Sequence, residues 1–297
     1  MPRKTLVEAK TREPPSQELI VVPQKHIGRW SLAAAVILAI SWLGYNVSTI
    51  SVIDYGAIPR YLFNASILQG VLLTVELAVI AQVIGVIIGI VLSAAKLSGN
   101  PVLVWLVTAY VWVFRGSPLI LQILFWYNGI LLVFPRIALK VPFIDWTLFD
   151  IPTSSILTVF VASLLALSLN QGAYMAEIVR GGILAVDRGQ MEASNALGLT
   201  GLKTFRYVLM PQVIRVIIPP TGNQFLSMIK DTSLISVIAG GELLTTVRDI
   251  YSTNSLIFEL LAVACFWYLV LTSIAYAGQH AIERRLARGH LPATGGF

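Results

Sequence analysis

The sequence is poor in the residues that bind metals and form disulfides. Cys265 is its single cysteine, which excludes an intrachain disulfide and a thiolate metal cluster. The three histidines, His26, His280 and His290, lie near the two ends of the chain and do not form a ligand set by their spacing. The sequence therefore predicts no metal site.

Charged residues are also scarce. They make up 12% of the chain, whereas a soluble domain carries about 25%. Hydrophobic residues reach 56%, and the mean hydropathy is +0.78. The segments 67–95 and 255–277 are each long enough to cross a hydrocarbon core of about 30 Å as a helix. This composition excludes an ordinary soluble domain and predicts an all-α membrane protein.

The hydrophobic pattern predicts about six transmembrane helices. A polar, proline-containing segment, 1–29, precedes the first span; it is too long for a signal-peptide n-region, and no clear cleavage site follows. We therefore expect a disordered tail followed by an uncleaved anchor. The predicted spans are at about 31–50, 67–95, 101–133, 154–180, 212–230 and 255–279.

Lysine and arginine are distributed unevenly between the loops. If the chain starts inside, the segments 96–100, 181–211 and 280–297 are cytoplasmic, and they hold most of the loop cations. Cytoplasmic loops of membrane proteins carry such an excess. We therefore predict that both termini are cytoplasmic, and topology explains the net charge of +6 better than nucleic-acid binding does.

Two of the spans contain residues that disturb helices. The third is interrupted by Arg115-Gly116-Ser117-Pro118, and a proline there should bend or break the helix. The fifth carries Pro219, Pro220 and Gly222 and is expected to be irregular as well. Broken backbone at membrane depth is tolerated only inside protein or beside a water-filled cavity. Both breaks therefore point to the substrate-side surface of the bundle.

The polar segment 183–211 contains residues that start and end helices, and their order predicts a rigid elbow of two short helices. Asp187 can cap a short helix, and Gln190 can reach back to its start. Gly198 supplies a left-handed exit residue. Thr200 can cap a second helix that is expected to end before Pro211. The pattern predicts helix, glycine turn, helix and proline.

The first helix of this elbow is suited to docking. Ala193, Ser194 and Ala196 are small, so a partner surface can approach closely, and Leu197 offers apolar contact. Glu192 can pair with a basic group of a partner or brace the elbow internally. The alternative is an ordinary surface connector. The joint spacing favours docking, and it comprises Glu192, Ala193, Gly198, Val208, Met210 and Pro211.

This spacing resembles the EAA loop of ATP-binding-cassette (ABC) importer permeases. Val208 and Met210 stand where that loop commonly has isoleucine and leucine, a conservative departure. The resemblance extends over about residues 64–280 and is closest to the polar amino acid branch of the family. The other segments that carry it are Gly70–Thr74, Phe114–Leu119, Asn170–Gly181 and Lys230–Leu234.

The resemblance implies a five-helix permease core at 64–280, with an ATPase-docking loop at about 183–211. The span at 30–55 is then an N-terminal addition, and 281–297 is a cytoplasmic tail. It further implies a bacterial cytoplasmic membrane, two permease copies, identical or related, a pair of ATPases that bind ATP and Mg²⁺, and an external solute-binding protein that delivers an amino acid. This chain has no Gly-x-x-x-x-Gly-Lys-Ser/Thr phosphate loop. It is therefore not expected to be an enzyme or to hold a cofactor.

Several polar residues lie within the predicted spans. An ionisable side chain at mid-membrane costs about 2.5–3.5 kcal/mol, so we expect each to face the bundle interior and find a partner. They either line an amino acid passage or pair with one another. Glu177 and Arg180 have the spacing of a local ion pair, and Lys230-Asp231 has the place of a helix cap. The candidate passage residues are Glu76, Arg115, Asn170, Tyr174, Glu177, Asn223 and Gln224.

Two other classes of protein fit part of the pattern. An ion- or proton-coupled secondary carrier would also use intramembrane carboxylates and broken helices. A membrane-embedded enzyme would need a clustered catalytic set, and neither His-Glu-x-x-His nor Gly-x-Ser-x-Gly occurs. The docking loop favours the importer permease over both.

Overall fold

The computed structural model describes residues 27–49, 53–140 and 147–287, and the chain divides into two compact units, Met1–Val52 and Ile53–Phe297. The first unit contains helix α1 (Ile27–Ser48), at the predicted first span. Most of the predicted tail 1–29 lies outside the described residues, as does the part of the predicted tail 281–297 that follows Ala287.

The second unit is built almost entirely of helices. A π-helical turn joins α5 to α6, another joins α10 to α11, and a 3-10 helix follows α11. The helices are α2 (Ala57–Leu62), α3 (Ala65–Leu97), α4 (Pro101–Gly116), α5 (Leu119–Leu124), α6 (Ile130–Val133), α7 (Thr153–Ile156), α8 (Val159–Leu184), α9 (Arg188–Ala196), α10 (Gly201–Lys203), α11 (Met210–Asp231), α12 (Leu243–Asn254) and α13 (Ile257–Ala287).

An antiparallel ribbon, which the hydrophobic pattern did not predict, lies between α6 and α7. It consists of β1 (Arg136–Lys140) and β2 (Thr147–Pro152), with Ile137 opposite Ile151. Its exposed ion pair joins Arg136 to Asp150 at 2.8 Å. The carboxylate of Asp150 raises the pKa of Arg136.

The all-α membrane fold is confirmed. Within the described ranges, α1, α3, α8 and α13 are long and apolar enough to cross a bilayer, and the pair Pro101–Gly116 and Leu119–Val133 counts as a fifth crossing. Helix α11 coincides with the predicted span at 212–230 but is not among these. Its polar residues make it less apolar than the other spans.

The break predicted in the third span is present. Helix α4 begins at Pro101 and is capped by Asn100, whose side-chain oxygen accepts a hydrogen bond from the Val102 amide at 2.9 Å. It ends at Gly116, and the chain then turns by 105° before α5. Because Pro118 has no amide hydrogen and restricts Ser117 to extended backbone, the helix cannot continue through this pair.

The prediction that the fifth span is irregular is wrong. Helix α11 runs without interruption through Pro219 and Pro220. A proline removes one backbone hydrogen bond, and neighbouring helices can compensate for that loss. Helix α11 also packs against α13 at this point, where Gln279 Nε2 donates to the Pro219 carbonyl at 3.3 Å.

Glycines bring α3 and α8 into close contact. A Cβ atom added to Gly85 would lie 2.5 Å from Gln171 Cγ, and one added to Gly89 would lie 2.4 Å from Met175 Cβ. The Gly85-x-x-x-Gly89 spacing, which places two small residues on one face of a helix, allows this approach. The apolar core continues from this contact to Ile123 and to α11.

We expect Gly89→Ala to destabilise the protein by about 1–3 kcal/mol, as overpacking does. The added methyl would also meet the Met175 carbonyl carbon at 2.7 Å, and backbone cannot yield as a flexible side chain can. Thermal melting in detergent measures the effect. Gly181→Ala in α8 is the matched control, because its Cβ would meet nothing within 4 Å. Equal melting temperatures for both variants would contradict the prediction.

A buried carboxylate fixes the start of α12. Glu242 accepts hydrogen bonds from the Leu244 amide at 2.6 Å, the Thr245 amide at 2.9 Å and the Tyr268 hydroxyl at 3.2 Å. Burial raises the pKa of Glu242, and these hydrogen bonds oppose the rise. The Leu243 amide donates to Thr74 at 3.2 Å. The start of α12 is thereby held against both α3 and α13.

Candidate translocation cavity and docking loop

A polar cavity of about 520 Å³ opens beside the break between α4 and α5. Three walls enclose it: the break itself, the middle of α8 and the second half of α11. Its volume is within the range of small-molecule sites. It is lined by Arg115, Gly116, Ser117, Pro118, Leu119, Asn170, Gln171, Tyr174, Gln224, Ser227 and Asp231.

Side-chain amides hold the break in place. Gln122 Nε2 donates to the Phe114 carbonyl at 2.9 Å and to the Ser117 hydroxyl at 2.9 Å. Asn170 Nδ2, from α8, donates to the same Phe114 carbonyl at 2.8 Å and to Gln122 Oε1 at 3.2 Å. Because the last carbonyls of a helix lack intrahelical partners, these bonds satisfy the open end of α4 and fasten it to α8.

Two opposite charges line the cavity. The Arg115 guanidinium lies over the Tyr174 ring, 5.0 Å from its centroid, in a cation–π contact. Asp231 lies on the α11 wall. Within the described ranges, neither residue forms a salt bridge. The cavity can therefore offer a cation and a carboxylate to a zwitterionic ligand.

The structure brings four of the seven candidate passage residues together in this cavity, namely Arg115, Asn170, Tyr174 and Gln224. The other three do not line it. Glu177 pairs with Lys96 at 2.8 Å and with Arg180 at 2.7 Å, which is the local ion pair that its spacing indicated. Asn223 is exposed and accepts a hydrogen bond from Gln279 at 3.2 Å.

Glu76 does not face the interior of this chain. Its side chain is exposed on α3 beside Leu72 and Val79. Leu77 and Ala78 are buried in the core, and their packing turns Glu76 away from the interior of this chain. A role of Glu76 in a passage stays a prediction. Within the described residues no hydrogen bond or salt bridge reaches Glu76.

Asp231 was misassigned. The sequence placed it with Lys230 as a structural cap, yet it makes no capping hydrogen bond at the start of the 3-10 helix and lines the cavity instead. Like Glu76, Asp231 is a carboxylate in a predicted span, and the cost of burying such a group applies to both residues. Sequence analysis also missed Gln171 and Ser227, which carry no local signal.

The docking loop is a glycine-terminated helix, as predicted. Asp187 accepts a hydrogen bond from the Gly189 amide at 2.7 Å at the start of α9. Gly198 has φ +71°, its amide donates to Asn195 at 2.9 Å, and the Leu199 amide donates to the Ser194 carbonyl at 3.1 Å. These two bonds form a Schellman motif, which requires a left-handed residue at Gly198.

The second half of the elbow differs from the prediction. Thr200 precedes α10, but its side chain makes no capping bond. Pro211 does not end a helix, because the chain passes from the π-helical turn Thr204–Leu209 directly into α11. Proline is tolerated in the first turn of an α-helix, where its missing amide hydrogen is not needed.

The loop presents a mixed surface of small, apolar and acidic side chains. Leu197 is 80% exposed and Leu202 is 77% exposed. Ser194 is an exception among the predicted docking residues: it is buried, and its hydroxyl donates to the Gln190 carbonyl at 2.7 Å. Its small size serves packing within the elbow. We call the exposed residues the docking surface: Glu192, Ala193, Ala196, Leu197, Gly198 and Pro211.

Comparison with known proteins decides the family. Residues 85–288, more than half of the chain, match the family described as "Binding-protein-dependent transport system inner membrane component". The chain belongs to this family. The resemblance recognised in the docking loop is confirmed, and the permease is a multi-pass membrane component of an ABC importer.

Relatives of the permease cover most of its length. It is 37% identical to the arginine transport system permease protein ArgU of Corynebacterium glutamicum, over 90% of this chain and 83% of that one. It is 36% identical to the L-cystine transport system permease protein TcyB of Bacillus subtilis, over 74% and 86%. A crystal structure of an amino acid ABC transporter matches with a TM-score of 0.66 and 32% identity, over 78% of this chain and 99% of that one.

Proposed function

We propose that the permease translocates a polar amino acid, which it binds in the cavity between Arg115 and Asp231. The observation that carries this proposal is the presence of both charges in one cavity of an importer permease. An α-amino acid carries a carboxylate and an ammonium group on adjacent atoms. The names of the relatives, which transport arginine and cystine, support the same class of substrate.

Each end of the substrate has a matching group in this arrangement. The Arg115 guanidinium, oriented by its stacking on Tyr174, donates charge-assisted hydrogen bonds to the substrate carboxylate. Asp231 receives the ammonium group. Gln224 and Ser227 remain for polar atoms of the substrate side chain. Because the cavity carries one positive and one negative group, it favours a zwitterion over a ligand with a single charge.

The docking surface is the proposed contact with the ATPase pair. Its exposed Leu197 supplies apolar area, and Glu192 supplies a charge for a basic group of the ATPase. ATP and Mg²⁺ belong to those subunits in this proposal. Within the described ranges, no three histidine, cysteine or acidic side chains lie close enough together to hold a metal ion.

The assembly and topology follow from the same proposal. With the docking surface in the cytoplasm, both termini are cytoplasmic. Helix α8, 26 residues long, then brings the chain from the outer face, where the solute-binding protein delivers the amino acid, to the docking loop in the cytoplasm. A second permease copy, identical or related, completes the membrane domain.

Reconstitution tests this function. The permease is co-expressed with an ABC ATPase and a solute-binding protein, and the complex is placed in liposomes. We expect uptake of a labelled amino acid, with L-arginine, L-glutamine and L-cystine as probes, only when ATP is present on the ATPase side. Uptake by the permease alone, driven by a proton or sodium gradient, would contradict the proposal and favour a secondary carrier.

Glu76 is proposed to face the passage between two permease copies, because a carboxylate exposed to lipid is costly. We expect Glu76→Gln to lower uptake several-fold per assembled complex at unchanged abundance. Asp249→Asn, at another exposed carboxylate, is the control and should retain wild-type uptake. Unchanged uptake per complex with reduced membrane abundance would assign Glu76 to packing instead.

The N-terminal span is proposed to be dispensable for transport, because the permease core that the family resemblance implies begins after it, at about residue 64. We expect that replacing residues 1–55 with a cleavable signal peptide leaves uptake per complex within about twofold of wild type. The signal peptide keeps the new terminus outside, so the remaining crossings retain their orientation. Loss of uptake at normal membrane levels would place this span in the working core.

A further inference from the structure

Two buried glutamines connect the cavity to α3. Gln171 lines the cavity and is 3% exposed, and Gln82, from the middle of α3, is 8% exposed. Gln171 Nε2 donates to Gln82 Oε1 at 2.8 Å. A side-chain amide has a donor end and an acceptor end. The bond to Gln82 therefore uses one of the two hydrogens at the donor end of Gln171 and holds that end towards α3.

The stem of Gln171 is clamped at the closest approach of α3 and α8. A Cβ atom on Gly85 would lie 2.5 Å from Gln171 Cγ and 2.7 Å from its Cβ. Because Gly85 has no side chain, these carbons of Gln171, the stem of its side chain, fit against α3. With the stem fixed, the terminal amide retains rotation about its last bond. The hydrogen bond to Gln82 then selects which end of that amide turns to the cavity.

The acceptor end of Gln171 remains available. Among the residues that the structure describes, none donates a hydrogen bond to Gln171 Oε1. This oxygen is also not one of the fully buried polar atoms that lack a partner. It belongs to a side chain that lines the cavity. A carbonyl oxygen in this position suits an ammonium group, which has more than one hydrogen to donate.

Packing alone does not account for Gln82. Its Nε2 is buried and has no partner in the described part of the chain. A buried donor without a partner is destabilising, and an apolar side chain of the same length would avoid that cost. The part of the amide in use is its oxygen, which holds Gln171.

We propose that Gln82 is a positioning residue for substrate recognition, which holds the Gln171 amide with its oxygen facing the cavity to receive the substrate ammonium group. Gln171 touches the substrate, and Gln82 acts through it. The inference rests on the proposed function of the cavity. It adds to that function a second acceptor beside Asp231 and the element, α3, that orients it.

A double-mutant cycle in the reconstituted importer tests the inference, with labelled L-arginine and L-glutamine as probes. We expect Gln171→Met to raise KM for uptake by about tenfold, the effect of losing one hydrogen bond to a charged group. Gln82→Met should raise KM to a similar extent, with kcat within about twofold. The double variant should be no worse than Gln171→Met, because Gln82 acts only through Gln171.

Ser93→Ala is the matched control. Ser93 is also buried on α3, and its hydroxyl also has no partner among the described residues, but it does not line the cavity. Its removal should leave KM unchanged. The melting temperature of each complex separates folding from recognition, and KM is measured per assembled complex.

The outcomes distinguish the two proposals. If Gln171→Met leaves KM unchanged while Arg115→Gln raises it, the cavity stands and the inference is overturned. If both variants leave KM unchanged, both proposals fall. If Gln171→Met raises KM and Gln82→Met does not, the cavity stands and the inference about Gln82 is overturned. Additive effects in the double variant, or a lower melting temperature of Gln82→Met with wild-type KM, would also overturn it.

Discussion

We expect Gly198→Val to abolish ATP-driven uptake while the permease still inserts into the membrane. Gly198 has φ +71°, and a β-branched residue in this region costs about 1–3 kcal/mol. The Schellman motif would open, and Leu197 would lose its position on the docking surface. Co-purification of the ATPase and uptake per membrane-inserted permease measure the result.

Two glycines provide controls for this substitution. Gly99→Val places the same strain at φ +75° after α3, outside the docking loop, and a Cβ there meets nothing within 4 Å. Gly201→Ala changes the docking loop without strain, because Gly201 lies in α10 with open space around it. Both controls should retain the ATPase. Normal ATPase binding and full uptake by Gly198→Val would show that the turn is not needed for docking.

Arg115→Gln should weaken substrate recognition most among the cavity variants. It removes the cation expected to meet the substrate carboxylate, and a charge-assisted hydrogen bond of roughly 1.5–3 kcal/mol corresponds to about a 10- to 150-fold rise in KM. The break should survive, because Gln122 and Asn170 hold it through the Phe114 carbonyl and not through Arg115. Uptake of labelled amino acid at a series of concentrations measures KM.

Two further variants define the role of Arg115. Arg136→Gln removes an exposed arginine from the ribbon between α6 and α7 and should leave KM unchanged. Arg115→Lys keeps the charge but loses the planar group that lies over Tyr174, so we expect intermediate recognition. If Arg115→Gln has the wild-type KM, the substrate carboxylate does not bind Arg115 in this cavity, and the prediction is contradicted.

Local chemistry made much of this molecule predictable. Hydropathy located the long helices, since a span needs an uninterrupted apolar stretch wherever it packs. The break at Ser117-Pro118 followed from the missing amide hydrogen of proline, and the turn at Gly198 followed from the left-handed conformation that glycine tolerates. Each of these features depends on residues within a few positions of one another.

Prolines were less predictable because their effect depends on neighbours. Pro118 breaks a helix, whereas Pro219 and Pro220 lie within one. Helix α11 continues through both prolines where it packs against α8 and α13. The ribbon between α6 and α7 likewise depends on pairing of β1 with β2, which hydropathy does not record.

The membership of the cavity was decided by tertiary structure. Arg115, Asn170 and Asp231 come from three elements far apart in sequence, and helix rotation determines which of their neighbours join them. The same rotation leaves Glu76 exposed on α3 and turns Ser194 inward on α9. Composition and spacing therefore determine that this chain spans a membrane and carries a docking loop. Which polar groups meet in its cavity depends on how the helices pack, because packing alone sets the direction of each side chain.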